Sequence, residues 1–231
     1  MLTYKHGGHI GVTDFFRNMA FLETLADLLR HLERPRVLFH ACSVGAEPYS
    51  FAIVWRERVG TPIEIEATDI EPEFLNLALK LEHPLLTDKI RGMVTFLPAC
   101  SVTSFSSVKT YDAVICMNAL CYLTPDEQVR AVWMMSSQAA RYLCVSAADP
   151  KSLKRGIREA NMHPVWKNWL AIYYGWRERL SLRPRGKAWK LPYIPFLLAH
   201  WQYAGTSIFA RELAVMDPKR SLPGASAPGP H

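Results

Sequence analysis

Three acidic or small-residue positions in the first third of the sequence have the types and spacing of a ligand site. A turn of small residues, Cys42–Gly45, follows a short apolar run and precedes a helical pattern with Glu47 in its first turn. This strand–turn–helix order presents backbone to a nucleotide-like ligand at the carboxyl ends of parallel strands. Asp69 ends the next alternating run, about twenty residues on, where a carboxylate can accept hydrogen bonds from ribose hydroxyls or cap a helix.

Arg17 is a cation whose predicted position requires an anionic partner. Thr13 can cap a helix that runs to about Leu32, and Arg17 then falls in its first turn, after Phe15 and Phe16. The helix dipole disfavours a cation there. We therefore expect Arg17 to face an anion, whereas the two aromatic residues can serve simply as core anchors.

The elements that would position these side chains alternate between strand and helix along most of the chain. We predict an α/β fold with a Rossmann-like doubly wound sheet, mostly parallel, with an antiparallel C-terminal strand. Strands are predicted at 36–41, 63–69, 93–97, 111–117, 141–147, and near 165–175 and 205–213. Helices are predicted at 13–32, 46–59, 72–79, 125–140 and 150–160.

Length and composition fit one single-core domain. The chain has 231 residues, and no run approaches the roughly 20 apolar residues of a membrane helix. The first eleven residues lack the apolar core of a signal peptide, which favours a cytoplasmic location. The five cysteines form no CxxC pair, so we expect small buried hydrophobic side chains in a reducing compartment and no metal site.

Charge is unevenly distributed along the chain. Residues 1–150 carry 13 Lys and Arg against 17 Asp and Glu, a net charge of −4, whereas residues 151–220 carry 14 against 4, a net charge of +10. The basic part favours an acidic partner, such as a phosphorylated or carboxylated substrate, a nucleic acid or an anionic membrane surface. A solvated basic face without a partner is the competing interpretation.

Four motifs together resemble the chemotaxis receptor glutamate methyltransferases, which are class I enzymes that use S-adenosylmethionine. The resemblance covers roughly residues 9–150, and the motifs occur in the family's order. No GxGxxG is present, so a Rossmann oxidoreductase fits less well. The motifs are TDFFRN, ACSVGAEPYSFA, ATDIEPEFLNLA and YDAVICMNALCYLTPDEQ.

The resemblance implies a role for each matched residue on the amino-acid side of the cofactor. Thr13 and Arg17 would contact the methionyl end, and Arg17, near the transferred methyl group, is a catalytic candidate. The turn Ala41–Gly45 would pass under the methionine part, where its glycine avoids a collision. Glu47 would hold the cofactor from the first helical turn, and Asp69 would accept the ribose hydroxyls.

The resemblance also implies contacts further along the chain. Asn118 and Ala119 would contact the cofactor after the fourth strand. Tyr122 would lie beside the sulfonium, because its electron-rich ring and oxygen favour positive charge, and is the second catalytic candidate. The family's adenine contact falls near Cys100 and Ser101, which we take as cofactor-binding candidates.

The sequence departs from the family in the parts that recognise the receptor. Met117 stands where the family has an arginine. The family's N-terminal helical domain has no counterpart before TDFFRN, and its β-subdomain has none between Leu81 and Met93. We therefore expect an N-terminal segment and helix that cap the cofactor site (1–34), a methyltransferase domain with a basic, aromatic insertion at about 175–204 (35–216), and a disordered tail (217–231).

These features lead to an acceptor hypothesis with alternatives. We expect methyl transfer to a carboxylate or hydroxyl oxygen of an anionic acceptor that is not a chemotaxis receptor, such as a glycan or a small metabolite. A hydroxyl acceptor needs a base, for which His6, His9 and His40 are weak candidates. The alternatives are a non-catalytic S-adenosylmethionine sensor or scaffold, a protein or nucleic-acid methyltransferase, and an enzyme that rests on a membrane through residues 191–201.

Overall fold

The computed structural model describes residues 2–167 and 207–211. The predicted insertion at 175–204, the membrane-facing run 191–201 and the tail 217–231 lie outside the described residues. Within the described ranges, each helix is too short or too polar to span a bilayer.

Among residues 2–167 and 207–211, seven strands form the main sheet and two more form a separate N-terminal hairpin. The hairpin consists of β1 (Leu2–His6) and β2 (His9–Thr13). The strands of the main sheet are β3 (Arg36–His40), β4 (Glu64–Thr68), β5 (Val94–Phe96), β6 (Tyr111–Cys116), β7 (Ala139–Val145), β8 (Met162–Lys167) and β9 (Ser207–Arg211). The helices are α1 (Met19–Leu29), α2 (Ala46–Arg58), α3 (Pro72–Lys80), α4 (Asp88–Arg91), α5 (Pro125–Gln138) and α6 (Pro150–Glu159), with a 3₁₀ turn at Leu120–Tyr122.

The strand order of the main sheet is β5-β4-β3-β6-β7-β9-β8. Pairings among β3 to β7 are parallel, and β9 is antiparallel to both β7 and β8. The prediction of a mostly parallel, doubly wound sheet with an antiparallel C-terminal strand is thereby confirmed. The order reverses between β3 and β6, and this switch point opens the crevice in which such sheets bind ligands.

Helices cover both faces of the sheet because strand residues alternate between two apolar cores. Val37 and Phe39 of β3 pack with residues of α1, α2 and α3, whereas Leu38 packs with residues of α5 and α6. The start of α5 is specified locally by Thr124 and Glu127, which form a capping box. The central helix α2 is buried from Ala46 to Trp55, so the turn before it is held on a rigid element.

The N-terminal segment corrects one prediction. Thr13 does not cap a helix, because it is the last residue of β2, and α1 begins only at Met19. Arg17 therefore lies in the turn before α1, and the helix-dipole argument does not apply to it. Gly7 and Gly8, with φ angles of 53° and 83°, form the two-residue turn that joins β1 to β2.

Two further details differ from the sequence predictions. The strand predicted near 165–175 begins earlier, at Met162, and the four-residue helix α4 was not predicted. All five cysteines are free, but the expectation of buried side chains is wrong for Cys121, which is exposed, and Cys100 is only half-buried. Cys116 and Cys144 are buried because they lie in central strands, whereas Cys100 and Cys121 lie outside the strands.

Candidate functional site

The carboxyl ends of β3, β4 and β6 meet at one edge of the sheet, and the small-residue turn after β3 lies between them. Three residues of this turn have left-handed backbone: Ala41, Ser43 and Gly45, with φ angles of 52°, 50° and 81°. Such conformations cost energy for residues other than glycine and cluster at functional sites. The turn is tied to the neighbouring strand because Cys42 N donates to Thr68 O (3.1 Å).

Asp69 links this turn to the chain after β4. One carboxylate oxygen accepts from Ser43 N (2.8 Å) and the other from Glu71 N (3.0 Å), while the Asp69 carbonyl accepts from Cys100 N (2.8 Å). The side chain is 6% exposed, and burial raises the pKa of its carboxyl despite these hydrogen bonds. A carboxylate has about four acceptor positions, so Asp69 keeps acceptor capacity beyond the backbone N–H groups of Ser43, Glu71 and Ile70.

Arg17 and Glu47 form an ion pair on the other side of the same turn. Arg17 Nη2 donates to Glu47 Oε1 (3.1 Å), and Arg17 Nη1 donates to Val12 O (2.9 Å). Asn18 Nδ2 adds a third bond, to Glu47 Oε1 (3.3 Å). Burial raises the pKa of Glu47, with Arg17 opposing the shift. The sequence expectation of an anionic partner for Arg17 agrees with this geometry, although the physical reason given for it was wrong.

Five buried side-chain polar atoms lack a hydrogen-bond partner among residues 2–167 and 207–211, and three of them belong to the turn and to the segment that leads to α1. These three are Thr13 Oγ1, Arg17 Nε and Ser43 Oγ, and the other two are His40 Nδ1 and Ser207 Oγ. Buried polar groups are almost always paired in proteins, so this concentration indicates a place for a polar ligand. Ser43, which bonds Asp69, and Glu47, which bonds Arg17, belong to one short stretch, so the turn and the start of α2 connect the two charged residues.

Ser146, which the sequence analysis missed, holds the candidate residue Asn118. Its hydroxyl accepts from Asn118 N (2.8 Å) and donates to Asn118 Oδ1 (3.2 Å). These two bonds hold both the backbone and the side chain of Asn118 at the end of β6, where its φ is 56°. In the sequence, Ser146 is the first polar residue after the apolar run of β7. This position points to Asn118 only when β6 and β7 are known to be neighbouring strands.

The remaining sequence candidates lie near the same edge with varied exposure. Cys100 and Ser101 are half-buried. Cys100 lies next to Asp69, because its backbone N–H donates to the Asp69 carbonyl (2.8 Å). Ala119 begins the 3₁₀ turn, and its carbonyl accepts from Tyr122 N (3.1 Å). Tyr122 is 70% exposed, so its side chain is not part of a buried floor.

The candidate bases are engaged in other contacts. His40 is buried, its Nε2 donates to Gln138 Oε1 (3.1 Å), and burial lowers its pKa to about 4. His6 and His9 each bond Glu71. In the part of the chain that the structure describes, no group of three or more histidine, cysteine or acidic residues could hold a metal ion.

Replacing Glu47 with glutamine should change how apo-protein stability depends on pH. Because the folded-state pKa of Glu47 lies above its ordinary value of 4.5, ionising it costs stability as pH rises above 4.5 through the folded pKa. Glu47→Gln keeps an oxygen for Arg17 and removes this cost. Thermal unfolding of the apo protein between pH 5 and 8 should show the variant gaining stability relative to wild type. Parallel curves for the two proteins, as expected for the half-exposed control Glu64→Gln, would contradict this.

Removing the Ser146 hydroxyl should weaken any ligand contact made by Asn118. Ser146→Ala leaves the Asn118 N–H without its partner and frees the side chain to rotate. We expect about a tenfold loss of affinity for S-adenosylhomocysteine, the energy of one or two neutral hydrogen bonds. Equilibrium titration measures the loss, with Ser137→Ala on the exposed side of α5 as control. Equal affinities for the two variants would refute the role of Ser146.

Comparison with known proteins finds relatives of the segment that carries Arg17, the turn 41–45 and Asp69. Residues 11–85 match the family model described as CheR methyltransferase, SAM binding domain. The chain is 30% identical over 152 residues to a chemotaxis protein methyltransferase of Listeria monocytogenes, across 53% of this chain and 58% of the relative. It is 28% identical over 159 residues to chemotaxis protein methyltransferase 2 of Pseudomonas aeruginosa, across 54% and 57%. The chain thus spans less than two thirds of the length of these relatives.

Solved structures show the same fold. A magnesium protoporphyrin IX methyltransferase from Synechocystis with bound S-adenosylmethionine has a TM-score of 0.51 and 15% identity, across 87% of this chain and 86% of that chain. An amino pentose methyltransferase from Micromonospora echinaspora, also with bound S-adenosylmethionine, has a TM-score of 0.52 and 14% identity, across 88% and 99%. The fold is that of class I methyltransferases, and residues 11–85 are similar to the S-adenosylmethionine-binding domain of chemotaxis methyltransferases, which confirms the predicted resemblance and cofactor class.

Proposed function

We propose that this protein is an S-adenosylmethionine-dependent methyltransferase whose cofactor lies along the edge formed by β3, β4 and β6. The observation that carries the proposal is the grouping of unpartnered buried polar atoms around the turn 41–45, inside the segment that matches a cofactor-binding domain. The amino-acid end of this cofactor carries an ammonium and a carboxylate, and the site offers Glu47 and Arg17 to meet them. The sugar carries a diol, and Asp69 has acceptor positions left for it.

The proposed roles of the chain's residues follow from their contacts. Asp69 would bind the ribose hydroxyls, and the turn Ala41–Gly45 would pass under the methionine part. Asn118, held by Ser146, and Ala119 would contact the cofactor from the end of β6. Cys100 and Ser101 would lie towards the adenine.

Catalysis would consist mainly of alignment, because methyl transfer from a sulfonium is an in-line displacement. When bound, the cofactor supplies an activated methyl group. Thr13 and Arg17 would fix the methionyl end, and Arg17 would direct an anionic acceptor towards the methyl group. Tyr122 would favour the positive charge of the sulfonium and help to exclude water.

A carboxylate oxygen is the acceptor atom that the described residues support best. A carboxylate is already ionised at neutral pH and needs no base, whereas a hydroxyl does. The buried His40 bonds Gln138, and its lowered pKa makes it a poor proton acceptor at neutral pH. His6 and His9 are bound to Glu71. We propose an anionic acceptor of this kind, a small molecule or a glycan.

A protein carboxylate is the second candidate acceptor. Its support is the similarity to chemotaxis protein methyltransferases over residues that include Arg17 and Asp69. The short stretch between Leu81 and Met93, where the family's receptor-docking β-subdomain has no counterpart, argues for a different acceptor. For nucleic acid as the acceptor, the only support is the basic charge of residues 151–220.

A methyl-transfer assay on cell extract separates these functions. The protein is incubated with methyl-labelled S-adenosylmethionine and extract, and the product is divided by ultrafiltration and protease treatment. Mild alkali releases methanol from a methyl ester but not from a methyl ether. We expect alkali-labile label in the small-molecule or glycan fraction. Protease-sensitive label would support the protein acceptor, alkali-stable label would overturn the carboxylate, and cofactor binding without transfer to any fraction would support a sensor.

A further inference from the structure

The N-terminal hairpin lies against the turn that forms the candidate cofactor site. At Gly11 in β2, an added Cβ would collide with the side-chain oxygen of Ser43, so β2 packs directly on the turn and only glycine leaves room there. Thr13, two residues on, is buried with its hydroxyl unpartnered among the described residues. The hairpin is a two-stranded sheet separate from the main one, and such a pair is marginally stable without further contacts. Its position over the site must therefore be held from outside.

Two histidines attach the hairpin to a single carboxylate. His6 Nδ1 donates to Glu71 Oε1 (2.9 Å), and His9 Nδ1 donates to Glu71 Oε2 (3.1 Å). The two rings face the same carboxylate because His6 and His9 are paired across the strands, next to the turn. A Cβ at Gly7 would lie 2.8 Å from Glu71 Oε2, so the turn itself packs on this group. Glu71 is buried, whereas both histidines are about half-exposed.

Glu71 also holds the carboxylate that we assign to the ribose. Its backbone N–H donates to Asp69 Oδ1 (3.0 Å), while Ser43 N donates to Asp69 Oδ2 (2.8 Å). Through its side chain Glu71 therefore fixes the hairpin, and through its backbone it orients Asp69. A movement of the hairpin that displaces Glu71 would therefore also displace Asp69, the proposed ribose-binding residue.

We propose that Glu71 is a positioning residue of the cofactor site, and that His6 and His9 use it to hold the hairpin closed over the bound cofactor. The inference rests on the function proposed above. Two consequences follow. Release of the cofactor requires the hairpin to open, so the histidine contacts set the release rate. By linkage, bound cofactor stabilises the closed hairpin to the same extent that the closed hairpin stabilises bound cofactor.

The release rate of S-adenosylhomocysteine tests the first consequence. The 231-residue chain is loaded with labelled S-adenosylhomocysteine and chased with excess unlabelled compound. In the His6→Ala/His9→Ala variant we expect release about tenfold faster than in wild type, the effect of losing one or two charge-assisted hydrogen bonds at a half-exposed position. Lys5→Ala, an exposed change on the same strand β1, should release at the wild-type rate. Equal rates for wild type and the double variant would overturn the proposal.

Hydrogen exchange tests the second consequence and separates positioning from general stability. In wild type, S-adenosylhomocysteine should slow exchange at residues 9–13, and in the double variant this protection should be lost while that of β3 and β6 remains. Glu71→Gln, which keeps one side-chain oxygen and the backbone N–H to Asp69, is the second variant and should show the same loss. Retained hairpin protection in both variants would refute the inference. Wild type that binds no S-adenosylhomocysteine would instead refute the proposed function.

Discussion

Replacing Asp69 with alanine is expected to weaken binding of S-adenosylhomocysteine by about 100-fold, because two charge-assisted hydrogen bonds to the ribose, together worth about 3 kcal/mol, are lost. The side chain is nearly buried and its backbone bonds leave acceptor capacity free. The alanine also releases Ser43 N and Glu71 N, so the turn between them should loosen. Titration calorimetry well below the unfolding temperature of the variant measures the affinity.

Glu64→Ala is the matched control for this experiment. Glu64 is the first residue of β4, the strand that Asp69 follows, and its partner is Arg34 (2.9 Å) on the surface. Exposed ion pairs contribute little to stability, so this variant should bind like wild type. Unchanged affinity of the Asp69→Ala variant would show that Asp69 does not bind the ribose. Equal losses in both variants would point to general damage to the strand.

Replacing Gly45 with alanine should destabilise the fold by about 3 kcal/mol, through backbone strain and overpacking together. The residue has a φ of 81°, and an added Cβ would lie 2.9 Å from Phe96 Cζ and 3.0 Å from Ala78 Cβ. The helix α2 that follows is buried over its first ten residues, so it cannot move aside. Thermal unfolding of the apo protein should show a midpoint lowered by about 10 °C for a domain of this size.

Gly60→Ala separates the two contributions. Gly60 has nearly the same φ, 77°, but the atom nearest to an added Cβ is Arg56 O, at 3.7 Å. This variant should lose only the backbone term, about 1 kcal/mol. If the two variants lose the same stability, crowding against Phe96 and Ala78 contributes nothing to the loss. The left-handed backbone alone would then account for the need for glycine at position 45.

Gly45 also shows how a correct residue can be chosen for an incomplete reason. The sequence analysis attributed it to space for the methionine part of the cofactor. In the apo structure the glycine is already required by its left-handed backbone and by the side chains of α3 and β5. Neither the φ angle nor the approach of Phe96, which lies far along the chain, can be read from a local pattern.

Local signals predicted most of the main sheet. Apolar runs placed β3, β4 and β6 within one or two residues of their observed ends. The cap residue Thr124, followed by a proline and two acids, placed the start of α5. These features depend on neighbours in the sequence. Because parallel strands end at one edge, the approach of Asp69 to the turn of β3 followed from the fold class alone.

The parts that were missed depend on pairing between distant segments. Gly7-Gly8 is a hairpin signal, but the helix expected from Thr13 onward obscured it. The bond of Ser146 to Asn118 joins residues 28 apart, and the bonds of His6 and His9 to Glu71 span more than 60 residues. Such contacts are set by the register and packing of whole elements, which composition and periodicity do not specify.

The central claim is that one site, from Arg17 at one end to Asp69 at the other, binds a single sulfonium nucleoside. Calorimetric titration of the wild-type protein with S-adenosylhomocysteine tests it most directly. The account predicts one molecule bound per chain, with a dissociation constant of the order of 1 μM, about −8 kcal/mol. Absence of saturable heat at millimolar ligand, with the protein folded, would contradict it.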